Sequence, residues 1–496
     1  MSKKSGASGA KVLINSVIYS FGGLLQKCFS FFLLPLYTAY LTTEDYGITS
    51  VTTSFCTTAS FIVAFSLFSA VLRFYVDLKD DPEKLKRFYG TIVTFVFLSG
   101  AVFCGIACLL REPVSKYLFS GIDFFPLIFV CLITLICNCQ HTVFDNILKS
   151  QQKALKSSVC SLVYFLTNVA LNVLFVVGFR LGALGTLLAT AISGAAYTLY
   201  FVIEMCIRRT ITFCLDWKLL RNALKYSIPI MPHNLSTHIA VFISKLLISD
   251  TGSLASLGVY SVATQFSHIA DTVQSHVDSA YGPWLYERLK NREGDFKKTI
   301  RRNVNLLISV IGFFFLGISL FAQDYIVLFV DDSYVDAWRY VPLLVSTFAI
   351  KTAYYFFVEV LFYFKEASRK LFWATLSSSF LNIFLSYFFI PLWGVYGSIL
   401  ADALSMLVRV GIVYIISRRY EDIGLRIMDF IRNFFVVEGF VALGLVLSIL
   451  KFQTSFSILN FGYKALITLL YVVVAFLLNR ESAVQMLAKL KNKRKK

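Results

Sequence analysis

Basic residues interrupt several long apolar runs of this 496-residue chain, among them Lys27, Arg73, Lys245, Lys351 and Arg409. Lys27 and Lys351 fall near the middle of their runs, Arg73 and Lys245 nearer one end. Lysine and arginine held out of bulk water suit a phosphate- or pyrophosphate-bearing anion, by charge and, for arginine, by a bidentate fork. A second group is polar and acidic. Ser261, Thr264, His268, Asp271, Thr272, Ser275 and Asp278 recur at i, i+3, i+4, i+7 spacing, which gathers them within an arc of roughly 120° on a helix. Such a stripe cannot face lipid; it lines water or packs on equally polar neighbours. His268 with Asp271 one turn later is a candidate proton relay, because imidazole titrates near neutrality, and Glu359 is a further acid inside an apolar run. Each base also has a plainer reading: it pairs with Asp271, Glu359 or Asp402, or snorkels to an interface. Depth makes snorkelling difficult for Lys27 and Lys351. The other histidines, His141, His233, His238 and His276, read as satisfied core residues.

Other chemistries lack their residues. The ten cysteines all precede residue 215, with no CxxC pair and no spacing typical of zinc, so they read as small packing residues. There is no P-loop, no HExxH and no GxSxG in a usable context. The expectation is a chain with no catalytic residue, no metal and no cofactor.

The elements that must carry these residues follow from composition. Hydrophobic residues make up 57% of the chain and charged residues 15%, against about 25% in an ordinary globular chain. The apolar residues fall in blocks long enough to cross a bilayer, which takes roughly 20 residues of helix. About fourteen spans are expected, near 12–41, 46–77, 88–110, 122–148, 157–179, 182–206, 224–250, 255–285, 303–323, 337–364, 371–391, 394–416, 427–450 and 456–478. With the N-terminus inside, alternate loops hold 35 of the 47 Lys and Arg, seven of them between Arg288 and Arg302. The opposite loops hold only Arg111, Lys116, Arg180, Arg339 and Lys451. That asymmetry predicts cytoplasmic termini by the positive-inside rule. The net charge of +18 is then mostly topology and points away from nucleic acid. The tail Lys489–Lys496 reads as a positive-inside terminus close to anionic lipid headgroups.

An internal repeat organises the spans. Gly182-Ala-Leu-Gly185-Thr-Leu-Leu-Ala189 reappears 212 residues later as Gly394-Val-Tyr-Gly397-Ser-Ile-Leu-Ala401. Gly47-Ile-Thr-Ser50-Val51 matches Gly258-Val-Tyr-Ser261-Val262 at an offset of 211. Six helices, an even number, separate equivalent points, so both halves insert in the same orientation. The expected architecture is all-α and membrane-integral. Two parallel six-helix lobes, 1–211 and 212–423, surround a central cleft, with two further helices and a basic tail in 424–496. The paired glycines open equivalent helices, where small residues allow close approach.

The stretch Phe32-Leu-Leu-Pro35-Leu-Tyr37-Thr-Ala-Tyr-Leu41-Thr-Thr-Glu44-Asp45-Tyr46-Gly47 resembles the opening of bacterial polysaccharide exporters of the O-antigen flippase (Wzx-like) family. Arg73-Phe-Tyr, Gly258-Val-Tyr260-Ser261 and the Gly394–Gly397 pattern add to the likeness, which covers essentially the whole chain. The resemblance implies a flippase in the superfamily of multidrug antiporters and lipid II flippases. Its substrate would be an undecaprenyl-pyrophosphate-linked oligosaccharide, moved from the cytoplasmic to the outer leaflet of the bacterial cell membrane by alternating access. Its partners would be membrane lipids and the glycan polymerase and other proteins of surface-polysaccharide assembly. Where many relatives carry an acidic–basic pair, this chain has Ser244-Lys245. Under this reading Lys27, Arg73, Lys245, His268, Asp271, Ser275, Lys351 and Arg409 line the substrate cleft, with His268, Asp271 and Glu359 as candidates for ion coupling. Two alternatives stand beside it. A cation-coupled multidrug antiporter of the same fold would want an acidic cleft, and a membrane glycan polymerase or ligase would want a large outer loop, unlike the short 249–257 and 324–336.

Overall fold

The computed structural model describes residues 23, 26, 27, 29–292 and 294–480. Most of the first expected span, both termini and the basic tail Lys489–Lys496 lie outside the described residues. Among the described residues the regular structure is entirely helical, and the chain divides into two compact units, Met1–Gly258 and Val259–Lys496. The repeat divides the sequence at 211/212; packing divides it at 258/259.

Unit 1 holds α1 (Leu34–Tyr40), α2 (Thr43–Val63), α3 (Leu67–Leu78), α4 (Pro82–Leu109), the short α5 (Arg111–Leu118), α6 (Phe129–Ser150), α7 (Ala154–Asn172), α8 (Gly182–Ile207), α9 (Trp217–Ser227) and α10 (Met231–Thr251). Unit 2 holds α11 (Leu254–Asn291), whose first turn belongs to unit 1, then α12 (Phe296–Phe329), α13 (Ala337–Tyr363), α14 (Lys365–Trp393), α15 (Val395–Tyr420), α16 (Ile427–Leu450) and α17 (Ile458–Leu478). Ten helical segments among the described residues are long and apolar enough to cross a membrane, and α2 with α3 makes an eleventh if counted as one broken span. The span expected over 46–77 bends by 46° at Phe65 and Ser66, both left-handed, with φ of 47° and 51°. No proline or glycine marks that break. The expected spans 224–250 and 255–285 are helical as α9–α10 and α11, yet neither α10 nor α11 passes as apolar. Their polar residues lower the hydropathy.

In unit 1 the motif ending in Gly47 has a structural task. Thr42 and Asp45 form a capping box at the start of α2: Thr42 Oγ1 accepts from the Asp45 amide at 3.1 Å and Asp45 Oδ2 accepts from the Thr42 amide at 3.2 Å. The other carboxylate oxygen accepts the Ala183 amide at 2.9 Å, tying the start of α2 to the start of α8. Gly182, at φ +55°, leaves room for that carboxylate, since a Cβ there would stand 2.6 Å from Asp45 Oδ1. Its repeat partner Gly394 has the same φ, +55°.

Gly47 and Gly258 meet in a reciprocal contact. A Cβ on Gly47 would lie 2.0 Å from the Leu254 carbonyl oxygen, and one on Gly258 would lie 1.9 Å from that of Thr43. The offset of 211 carries one half of this contact onto the other. Further along, α10 packs on α2 through Phe61 stacked on His238 at 4.8 Å, Phe55 against Phe242 at 5.8 Å, and Thr58 Oγ1 donating to the His238 carbonyl at 3.1 Å. Cys56 and Cys131 touch where α2 meets α6, and every described cysteine is a free thiol.

In unit 2 the last two helices are bound to α12 by charges. Arg301 holds Asp429 of α16 through two hydrogen bonds of 2.6 and 2.8 Å. Lys464 of α17 donates to Asp324 at 2.6 Å and to Gln323 Oε1 at 2.8 Å, with both ionic groups buried. Tyr471 adds a hydroxyl hydrogen bond to the Ser309 carbonyl at 2.9 Å.

Gly47→Ala tests the reciprocal contact. The methyl group must push α11 away from α2, and overpacking of this kind costs about 1–3 kcal/mol. A lower melting temperature of the purified protein is expected; an unchanged one would mean the two helix starts do not touch.

Candidate functional site

The polar stripe of α11 faces a matching stripe on α13. Both helices run in the same direction, and contacts between them step along one seam. Gln274, buried, donates from Nε2 to the Phe348 carbonyl and to Thr352 Oγ1, both at 2.6 Å. Lys351 Nζ reaches Asp271 Oδ1 at 2.7 Å, and the Tyr355 hydroxyl donates to the same oxygen at 3.2 Å. The ammonium also sits over two rings, 5.3 Å from Phe348 and 5.1 Å from Tyr355. A turn further, Glu359 is buried and accepts a hydrogen bond from the Tyr286 hydroxyl.

Lys351 and Asp271 are not sealed. Their side chains retain 21% and 33% of their exposure, so the pair is open on one side. A charge pair at bilayer depth that keeps an open face can exchange its partner for a ligand, while a sealed one such as Lys464–Asp324 cannot do so without unpacking.

The remaining predicted residues fall in several places. Arg409 of α15 donates from Nε to Ser378 Oγ at 2.7 Å and from a terminal nitrogen to Ser379 Oγ at 3.4 Å, both on α14. Asp402, two turns before it, accepts from Asn382 Nδ2 at 2.6 Å. Ser275 donates to the Thr272 carbonyl at 2.9 Å, and His268 is exposed on α11. In unit 1, Arg73 is exposed and pairs with Asp77 one turn on at 2.7 Å. Lys27 is exposed on helical backbone. Lys245 differs from these: it is half-buried on α10 with no hydrogen bond or ion pair to any described residue. The structure therefore brings Asp271 and Lys351 together, and leaves Lys245 as a desolvated cation.

Tyr355, Tyr286 and Gln274 complete the seam without having stood among the site candidates, together with Asp278 of the polar stripe. Their signal was present in the spacing. Lys351, Tyr355 and Glu359 repeat every four residues, as do Asp278, Gly282 and Tyr286.

The family model described as "Polysaccharide biosynthesis protein" matches residues 12–287, more than half of the chain. The chain belongs to the polysaccharide biosynthesis protein family. This agrees with the likeness carried by Phe32–Gly47 and Gly258–Ser261. An uncharacterized membrane protein of Haemophilus influenzae is 24% identical over 422 residues, covering 82% of this chain and 97% of that protein. Among solved structures, lipid II flippase MurJ in its inward closed conformation is similar with a TM-score of 0.69 at 13% identity, covering 94% of this chain and 99% of that one. An inward-facing multidrug resistance MATE transporter of the MOP superfamily gives 0.58 at 15% identity, covering 79% and 94%. The fold of this member of the polysaccharide biosynthesis family is thus the all-α membrane fold of MurJ and MATE proteins.

Lys351→Met strands Asp271 without its cation in a half-buried site, and Asp271→Asn strands Lys351. Each single variant is expected to melt lower than the double variant Asp271→Asn/Lys351→Met, with a coupling of about 0.5–3 kcal/mol. Strictly additive melting shifts would show that the pair contributes nothing to folding.

Proposed function

We propose that the protein is a flippase that moves an undecaprenyl-pyrophosphate-linked oligosaccharide from the cytoplasmic to the outer leaflet of a bacterial cell membrane, by alternating access, for cell-surface polysaccharide synthesis. The observation that carries this reading is the half-open Lys351–Asp271 pair inside the membrane region of a polysaccharide biosynthesis protein. Pyrophosphate brings more charge and more acceptor oxygens than one carboxylate, so it competes with Asp271 for the ammonium. Lys245, desolvated and without an acidic partner among the described residues, offers a second point of attraction for an anion. The similarity to a lipid II flippase supports the same substrate class, a glycan carried on a lipid. In this reading the chain transports and does not catalyse.

Cation-coupled multidrug antiport is the second reading, and one observation favours it. Along the seam three acids, Asp271, Asp278 and Glu359, face a single base, Lys351. Organic cations would suit that excess.

Surface glycan in the native host separates the two. Lys351→Ala is expected to lower surface glycan by about tenfold or more, equivalent to about 1.4 kcal/mol, with the protein still present in the membrane, and Lys27→Ala to lower it as well. Unchanged glycan in both variants, together with raised drug sensitivity on deletion, would replace the flippase reading by the antiporter.

A further inference from the structure

The acid excess along the seam demands a counter-charge. Asp278 and Glu359 lie within electrostatic reach of each other, one on α11 and one on α13. Gly282, one turn after Asp278, makes the approach possible: a Cβ there would stand 2.7 Å from Glu359 Oε2. Glu359 is buried, and Asp278 Oδ1 is buried with no hydrogen-bond partner among the described residues. Neither carboxylate is salt-bridged to a described residue. Lys351 is within reach of Asp278, but its hydrogen bond goes to Asp271.

A second observation is independent of the acids. Tyr281 is 2% exposed, its hydroxyl is buried without any hydrogen-bond partner among the described residues, and it lies within electrostatic reach of both carboxylates. A buried polar atom without a partner costs about 1–3 kcal/mol, and more when it is charged, so a proton on Asp278 lessens that cost by removing its charge. No group of three or more metal-ligating side chains occurs among the described residues. Two carboxyls and phenolic hydroxyls are a set for a proton.

We propose that Asp278 and Glu359 share one exchangeable proton, forming a proton-binding site on α11 and α13 one to two turns from the Lys351–Asp271 pair. Two carboxylates in one desolvated site cannot both ionise cheaply, so one holds the proton while the other accepts from it or from a tyrosine. The titratable groups facing them are Asp271, Tyr281 and Tyr286 from α11 and Lys351, Tyr354 and Tyr355 from α13; of the helices packed on α13, α15 brings Arg409 within electrostatic reach of Tyr354 and α16 brings Glu438, hydrogen-bonded to Ser346. The tyrosines remain neutral hydroxyls at neutral pH and Lys351 is ion-paired with Asp271, which leaves the carboxyl pair as the proton exchanger. The inference does not depend on what the protein moves: it concerns a proton taken from water and returned to it, with no bond made or broken elsewhere.

The test is pH-difference infrared spectroscopy of the full chain in lipid nanodiscs, without substrate, reading the carbonyl stretch of protonated carboxyl groups. Wild type is expected to show a protonated-carboxyl component, beyond any contributed by the half-buried Asp402 and Glu438, that disappears as the pH is raised. Asp278→Asn and Glu359→Gln are each expected to abolish it, and Tyr281→Phe, which removes only a hydroxyl, to shift the pH at which it disappears. Replacing potassium by sodium at constant pH should leave the band unchanged. Persistence of the band in both carboxyl variants, or its complete absence from wild type, would overturn the shared proton. Loss of the band on adding sodium would overturn the assignment to a proton alone. Since no glycan lipid is present, failure here is distinct from failure of the flippase reading.

Discussion

A charge inside a membrane helix is costly without a partner, about 2.5–3.5 kcal/mol or more on insertion scales. Unit 2 is organised around that cost. Lys464–Asp324 and Arg301–Asp429 fasten α17 and α16 to α12, Arg409 is held by two serines of α14, and Lys351–Asp271 joins α13 to α11. These contacts differ in how far they are closed to solvent. Lys464 and Asp324 are sealed, whereas Lys351 and Asp271 keep an open side.

Small residues set the geometry that allows such pairing. Gly47 and Gly258 let two helix starts touch backbone to backbone, Gly182 admits the Asp45 carboxylate, and Gly282 admits that of Glu359. In each case a methyl group would occupy the place of an oxygen atom. The first two carry the internal repeat, and Gly282 carries chemistry, which is why repeated glycines alone could not point to the acidic site.

Much of this was legible in the sequence. Hydropathy located ten of the expected spans, and the stripe from Ser261 to Asp278 marked α11 as the helix to watch. Three features were not legible, for physical reasons. The break at Phe65–Ser66 uses ordinary residues in left-handed backbone, so no proline or glycine betrays it. Lys351 had several candidate acids, and only the register of α11 against α13 selects Asp271 over Glu359. Lys464 and Asp324 lie near the ends of apolar helices, where a charge looks interfacial until burial is known. Arg73 illustrates the converse: a base inside an apolar run whose partner, Asp77, lies one turn along its own helix.

The fold is shared with proteins that handle different cargoes, so the fold does not choose among them. The most direct measurement is translocation by the purified chain in proteoliposomes, using a fluorescent polyprenyl-pyrophosphate oligosaccharide whose exposure on the outer leaflet is read by a membrane-impermeant quencher. The account predicts that the glycan lipid crosses in the presence of the protein and that an organic cation loaded in parallel does not. Movement of the cation with no movement of the glycan lipid would contradict it.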